Sequence, residues 1–302
     1  MARRVKCVVL TCGVIAAGLL MPGSASANFP GANGRIAFVH LSGAVGGSQD
    51  IFTMSPRGRH RVQLTQGPAD DAFPNYSPDG ERIVFTRGAA GSAGVGQAWI
   101  MNQDGSGQKQ LTYGSPTVES TTFSPNGMRI AFTRGDGGST QLWTMKVDGT
   151  DQTQLTFPGP NGDHVHGPTY SPDGQLIAFS HHHGAVGADY HGISVIRPDG
   201  TDERALTMPS AATDDFQPDF SPNGKRIVFD RYNQVQDDLY VVKTNGSRLR
   251  ALTNTSDLEL SPAFSPNGAK VVFERDNADF TVANVVVVDS RGLNRNVTPL
   301  TM

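Results

Sequence analysis

The 302-residue chain carries 25 Lys and Arg against 28 Asp and Glu, a formal charge of −3. This mild acidity argues against nucleic acid as a partner, which normally asks for a basic stripe. Both cysteines, Cys7 and Cys12, fall in the first 27 residues, so the remainder offers no disulfide, catalytic thiol or thiolate metal site.

Residues 1–27 read as a secretory signal. Arg3, Arg4 and Lys6 form a basic start, residues 7–21 an apolar run, and Ala25-Ser26-Ala27 a small-x-small cleavage site. Cleavage there predicts Asn28 as the mature N-terminus, export to the periplasm or the medium, and a formal charge of −6. The run is short for a membrane span of about 20 residues. Cys12 lies inside it, which argues against a lipoprotein anchor. No later segment is apolar enough, so no membrane span is expected in the mature chain.

Residues 28–302 repeat one unit. It reads Pro-x-aromatic-Ser-Pro-Asp/Asn-Gly and then x-x-Ile/Val-x-Phe, with clear copies at Ser77, Ser124, Ser171, Ser221 and Ser265 and a decayed one at Asn33-Gly34. The turn glycines at 34, 80, 127, 174, 224 and 268 are spaced by 46, 47, 47, 50 and 44 residues. Such a period, filled with short strands, denotes one closed array rather than separate domains. In the second copy a short extended segment reaches Ser77-Pro78-Asp79-Gly80, whose residues suit a type I turn. Residues 83–87 form the second strand, 98–101 the third and 109–112 a fourth ending in Leu-Thr. The Leu-Thr ending recurs at residues 64, 111, 155, 206 and 252, and the last copy blurs it within residues 297–301. No helix is expected. Four short strands need a neighbour on each face, so the prediction is all-β: a six-bladed β-propeller of four-stranded antiparallel blades. Asn28-Phe29-Pro30, or a pairing of the chain ends, is the candidate for closing blade one.

On these motifs, over residues 29–301, the chain resembles the TolB-type propeller repeat. Similar blades occur in prolyl oligopeptidases and oligogalacturonate lyases. The resemblance implies an exported propeller that usually binds proteins, here without the N-terminal α/β domain of TolB and without a peptidase's hydrolase domain.

The tight turns should share one face and the longer loops the other, where function usually resides. Six of the eight histidines lie between residues 164 and 191. His164 and His166 precede the first strand of the fourth copy, whereas His181, His182, His183 and His191 are assigned to the loop after its second. With Asp163 and Asp189 among them, His164, His166, His181 and His183 are candidate ligands of a divalent metal ion. Lyases of related fold hold a metal with axial histidines. A solvated polar loop is the stronger explanation of the same tract.

Acids stand at matching places in other copies: Asp70, Asp71, Glu119, Asp214, Asp215 and Glu259. Asp71, Glu119, His164, His166, Asp215 and Glu259 are the candidate binding residues, the acids forming a collar that attracts a cation or basic peptide. Their alternative role is pairing with neighbouring arginines. Two residues after each repeated Phe stands His40, Arg87, Arg134, His181, Arg231 or Arg275, expected to pair between blades. There is no Gly-x-Ser-x-Gly elbow, and each repeated Ser is explained by its turn. The expected function is an exported soluble scaffold for a protein or peptide partner. A metal-dependent polysaccharide lyase or hydrolase at the channel mouth is the competing expectation, and carbohydrate binding without catalysis the third.

Overall fold

The computed structural model describes residues 20–21, 34–42, 48–92, 95–135, 139–159, 163–185, 188–209, 212–276, 283–293 and 297–300. Among them, six four-stranded antiparallel sheets each follow chain order, and there is no helix. This is the predicted six-bladed propeller.

Blade one comprises Leu20–Met21, Ile36–Ser42, Ser48–Met54 and Val62–Gln63; blade two Asp70–Tyr76, Arg82–Gly88, Gln97–Asn102 and Lys109–Gln110. Blade three uses Thr117–Phe123, Arg129–Gly135, Thr140–Lys146 and Thr153–Gln154; blade four Val165–Tyr170, Ile177–Ala185, Ala188–Ile196 and Arg204–Ala205. Blade five has Asp214–Phe220, Arg226–Tyr232, Asp237–Lys243 and Arg250–Ala251; blade six Leu258–Phe264, Lys270–Asp276, Ala283–Asp289 and Thr298–Pro299. From blade two onward, each first strand lies beside that of the next blade, around the axis.

The repeated residues build turns and seams. In the second copy Ser77 Oγ accepts from the Arg82 amide at 2.9 Å and donates to Asp79 at 2.5 Å, while the Gly80 amide closes the turn onto Ser77 O at 2.8 Å. Gly80 has φ +76°, a conformation that glycine adopts without a Cβ clash. The Leu-Thr ending is a second device. Its threonine hydroxyl accepts the amide of the third strand, as Thr112 does from Ala98 and Thr253 from Leu239. In the last copy Leu300 donates to Val285 O as Leu252 does to Leu239 O. The leucine of the blurred ending is therefore in register, where the sequence suggested a slip of one residue. Phe38, Phe85, Phe132, Phe179, Phe229 and Phe273 are all buried, and six apolar clusters fill the six inter-blade seams.

The ring closes without exchanging strands. Thr298–Pro299 stays in blade six, and the inner strand of blade one is Leu20–Met21, paired to His40 and Val39. The alternative closing segment, Asn28-Phe29-Pro30, lies outside the described residues. Phe38 and Met54 of blade one pack with Val285 of blade six, flanked by Leu300. On the tight-turn face Gly58, at φ +75°, comes so close that a Cβ would sit 2.2 Å from Leu300 O.

Blade four departs from the pattern. Its second and third strands each have nine residues, against six or seven in the other blades. The resulting hairpin projects from the variable-loop face and carries the histidines.

Candidate functional site: an imidazole circuit at the rim of blades three to five

His181, His182, His183 and His191 are strand residues, not loop residues as the sequence suggested. His182 stands opposite His191, and His181 opposite Gly192. Alternation along a strand sends neighbouring side chains to opposite faces, so His182 shares the face of Ala178, which packs toward blade five. The rings of His164 and His166 are nearly parallel with centroids 6.2 Å apart. His164 lies 5.9 Å from His182, His182 5.0 Å from His191, and His191 5.9 Å from His166. The four imidazoles form a closed circuit.

Carboxylates from the flanking blades hold two of them. Glu119 of blade three meets His166 Nδ1 at 3.0 Å, and Asp214 of blade five meets His191 Nδ1 at 3.2 Å. Asp214 also accepts the His191 amide at 2.7 Å, and Phe216 packs 4.7 Å from the His191 ring. Burial holds the His191 pKa below the ordinary imidazole value, outweighing its bond to Asp214. Burial likewise lowers His164, helped by its histidine neighbours. Asp214 lies below the usual carboxylate value, because the bonds from His191 overcome its burial. Both shifts favour the neutral imidazole at His164 and His191.

The other candidates sit elsewhere. His181 is on the opposite face, with Nδ1 at 2.7 Å from Glu203 and its ring against Phe179. The side chain of His183 lies outside the described residues. Among the described residues, no three His, Cys, Asp or Glu side chains are arranged to hold one metal ion.

Asp71, Asp215 and Glu259 do not stand as free carboxylates at the channel mouth. Their side chains are 2%, 0% and 0% exposed, each clamped by the arginine 16 residues later. Arg87 grips Asp71 with two bonds of 2.6 and 2.7 Å, and Arg231 grips Asp215 at 2.6 and 2.8 Å. Arg275 reaches Glu259 at 3.1 Å. Each guanidinium also lies over the blade's aromatic residues, as Arg87 does over Trp99 at 4.7 Å and Arg231 over Tyr240 at 4.8 Å. These cations pair within a blade, not between blades as expected. Glu119 escapes the clamp because it stands 15 residues before Arg134, and the place opposite that arginine belongs to Val118.

One set was missed in the sequence. The residue after each repeated Phe is Val39, Thr86, Thr133, Ser180, Asp230 and Glu274; the acids of the last two copies were the available signal. Asp230 and Glu274 are buried, with their pKa values pushed well above the carboxylate range by desolvation and by Asp237 and Asp276 respectively. The one groove of note, about 690 Å³, is on the tight-turn face between blades one and two, lined by Arg35, Val62, Glu81, Arg82 and Asp104. It touches none of these groups.

The TolB β-propeller domain model matches residues 22–215 and 92–255. The chain belongs to that family. No curated protein matches it. Among solved structures, this TolB-type propeller is similar to the TolB-designated protein of Agrobacterium tumefaciens, at 24% identity and a TM-score of 0.67, over 81% of this chain and 85% of that one. It is also similar to TolB of Acinetobacter baumannii, at 18% identity and a TM-score of 0.69, over 87% of this chain. It spans 63% of that protein, less than two thirds. The oligogalacturonate lyase of Vibrio parahaemolyticus is similar at 11% identity and a TM-score of 0.59, over 91% and 92% of the two chains. These likenesses concern the fold.

Proposed function

We propose that the chain is an exported protein-binding scaffold that receives its partner on the variable-loop face, at the axial rim of blades three to five. The observation that carries this reading is the imidazole circuit, which is confined to blade four and draws Glu119 and Asp214 from the blades on either side. Membership of the TolB propeller family supports a binding role, and the signal-like residues 1–27 support export. Glu119, His166 and Asp214, whose side chains are 23%, 20% and 30% exposed, are parts of the cluster a partner reaches. Crosslinking in cell-envelope extract tests it. Wild-type protein should recover a partner that the Glu119→Gln, His166→Ala variant does not. Equal recovery by both would remove the partner from this face.

A second reading, a metal-dependent polysaccharide lyase or hydrolase, is favoured by one detail. Carboxylates at Nδ1 of His166 and His191 leave each Nε2 as the ligating atom, the orientation seen in metal-bound histidines. Metal analysis of untagged protein after chelation and repletion separates the readings. Near-stoichiometric metal that disappears in His164→Ala, His166→Ala supports the enzyme; background metal leaves the scaffold.

A further inference from the structure

Blade one differs from the other five in its innermost strand. Blades two to six have six or seven residues there, whereas blade one has Leu20–Met21 among the described residues, paired to His40 and Val39. In blade two the same place is taken by Asp71 and Ala72, opposite Arg87 and Thr86. Gly34 and Gly80 are 46 residues apart, so the equivalents of Asp71 and Ala72 are Ala25 and Ser26. Both precede the expected cleavage point. On the export reading, on which this inference rests, the mature chain from Asn28 lacks Leu20–Met21, the partners that Val39 and His40 have in this structure. The strand Ile36–Ser42 then loses that pairing.

Blade six turns an acidic pair toward this slot. Val285 packs on Phe38 and Met54, and its cross-strand neighbour is Glu274. Glu274 and, two residues on, Asp276 therefore share the face turned to blade one. The Leu20–Met21 strand itself lies against Ala283–Asp289. Glu274 Oε1 and Asp276 Oδ1 are buried and receive no hydrogen bond from any donor. Two buried carboxylates side by side need either a shared proton or a cation. Burial raises Asp276 to about 7, and burial with the Asp276 charge raises Glu274 well above its ordinary value, so a proton serves while no cation is present. An ammonium or guanidinium group entering from the slot would take its place.

We propose that the mature chain binds an extended segment of a partner protein by strand addition to Ile36–Ser42, with a lysine or arginine of that segment seated at Glu274 and Asp276. Main-chain hydrogen bonds supply the affinity in this mode and the side-chain pockets the selectivity.

The test uses exported protein whose N-terminus is fixed by intact mass, with two synthetic probes: acetyl-Ala-Leu-Lys-Met-Ala-amide and its counterpart with Glu for Lys. The Lys peptide should bind at least about tenfold more tightly, a difference of about 1.4 kcal/mol, and the Glu274→Gln, Asp276→Asn variant should lose that preference. Hydrogen exchange gives a measurement on unaltered protein: the Lys peptide should slow exchange in residues 36–42. Equal binding of the two peptides, a preference that survives in the variant, or unchanged exchange overturns the slot. Retention of residues 1–27 overturns the export reading together with it, whereas cleaved protein that does not discriminate overturns the slot alone.

Discussion

Single residues in this propeller divide into those that clamp a blade and those free to meet a partner. The acids at the head of the inner strands look alike in the sequence, yet burial and partner separate them. Asp215 has no exposed side-chain surface and a bidentate arginine, whereas the Glu119 side chain is 23% exposed and bonds only to an imidazole. Removing one member of a buried pair strands the other charge. Asp215→Asn should therefore cost about 3 kcal/mol in urea unfolding, while Glu119→Gln should cost under about 1 kcal/mol. Similar losses for both would undo the division. The clamp was legible in advance, in the common 16-residue separation of Asp71 from Arg87, Asp215 from Arg231 and Glu259 from Arg275. That Glu119 stands outside it was legible too, because Glu119 precedes Arg134 by 15 residues and Val118 fills the sixteenth place.

Each element is governed by a few hydrogen-bonding side chains. Ser171 Oγ donates to Asp173 at 2.6 Å and accepts the Leu176 amide at 2.9 Å, and its side chain is shielded from water. Ser171→Ala leaves that amide without its acceptor and should lower stability by about 1–2 kcal/mol, with secondary structure by circular dichroism unchanged. A neutral result would mean that the serine is conformational ornament and would reopen its candidacy as a nucleophile. The repeat made blades, turns and seams readable, since those residues act locally and recur. The histidines were harder. Their strands run to nine residues, and extension turns a supposed loop into alternating faces. That alternation separates His181 from His182 and brings in His191, which no spacing rule indicated. The fate of consecutive histidines depends on where a strand ends, and Gly184 and Ala185 gave no stop signal.

At the scale of the whole molecule, titratable groups lie at the axial end of otherwise apolar seams. Between blades four and five they are imidazoles; beyond them are the carboxyls of Asp230, Asp237, Glu274 and Asp276. Burial raises Asp237 and Asp276 to about 7. A carboxyl whose pKa rises on folding binds its proton more tightly in the folded state. Its contribution is complete below the unfolded value near 4 and is lost as pH rises through about 7. His164 and His191, with lowered pKa values, act oppositely: their contribution is present above about 6.5 and lost as pH falls. The melting temperature should consequently decline between pH 6 and pH 8, and Asp276→Asn should flatten that decline by an amount on the order of 2 kcal/mol. An unchanged slope in the variant would place the responsible groups elsewhere.

The absence of strand exchange has a further consequence. Every blade is spun from its own uninterrupted stretch, so no blade is privileged as the first. The join between blades six and one is an apolar seam like the other five, and there the turn at Gly58 meets Leu300. Joining the last blade to the first and cutting the backbone at another variable loop would leave every sheet intact. The order in which the blades are synthesised is thus separable from the order in which they stand, and a ring of this kind lengthens or shortens by whole blades without rewiring any of them.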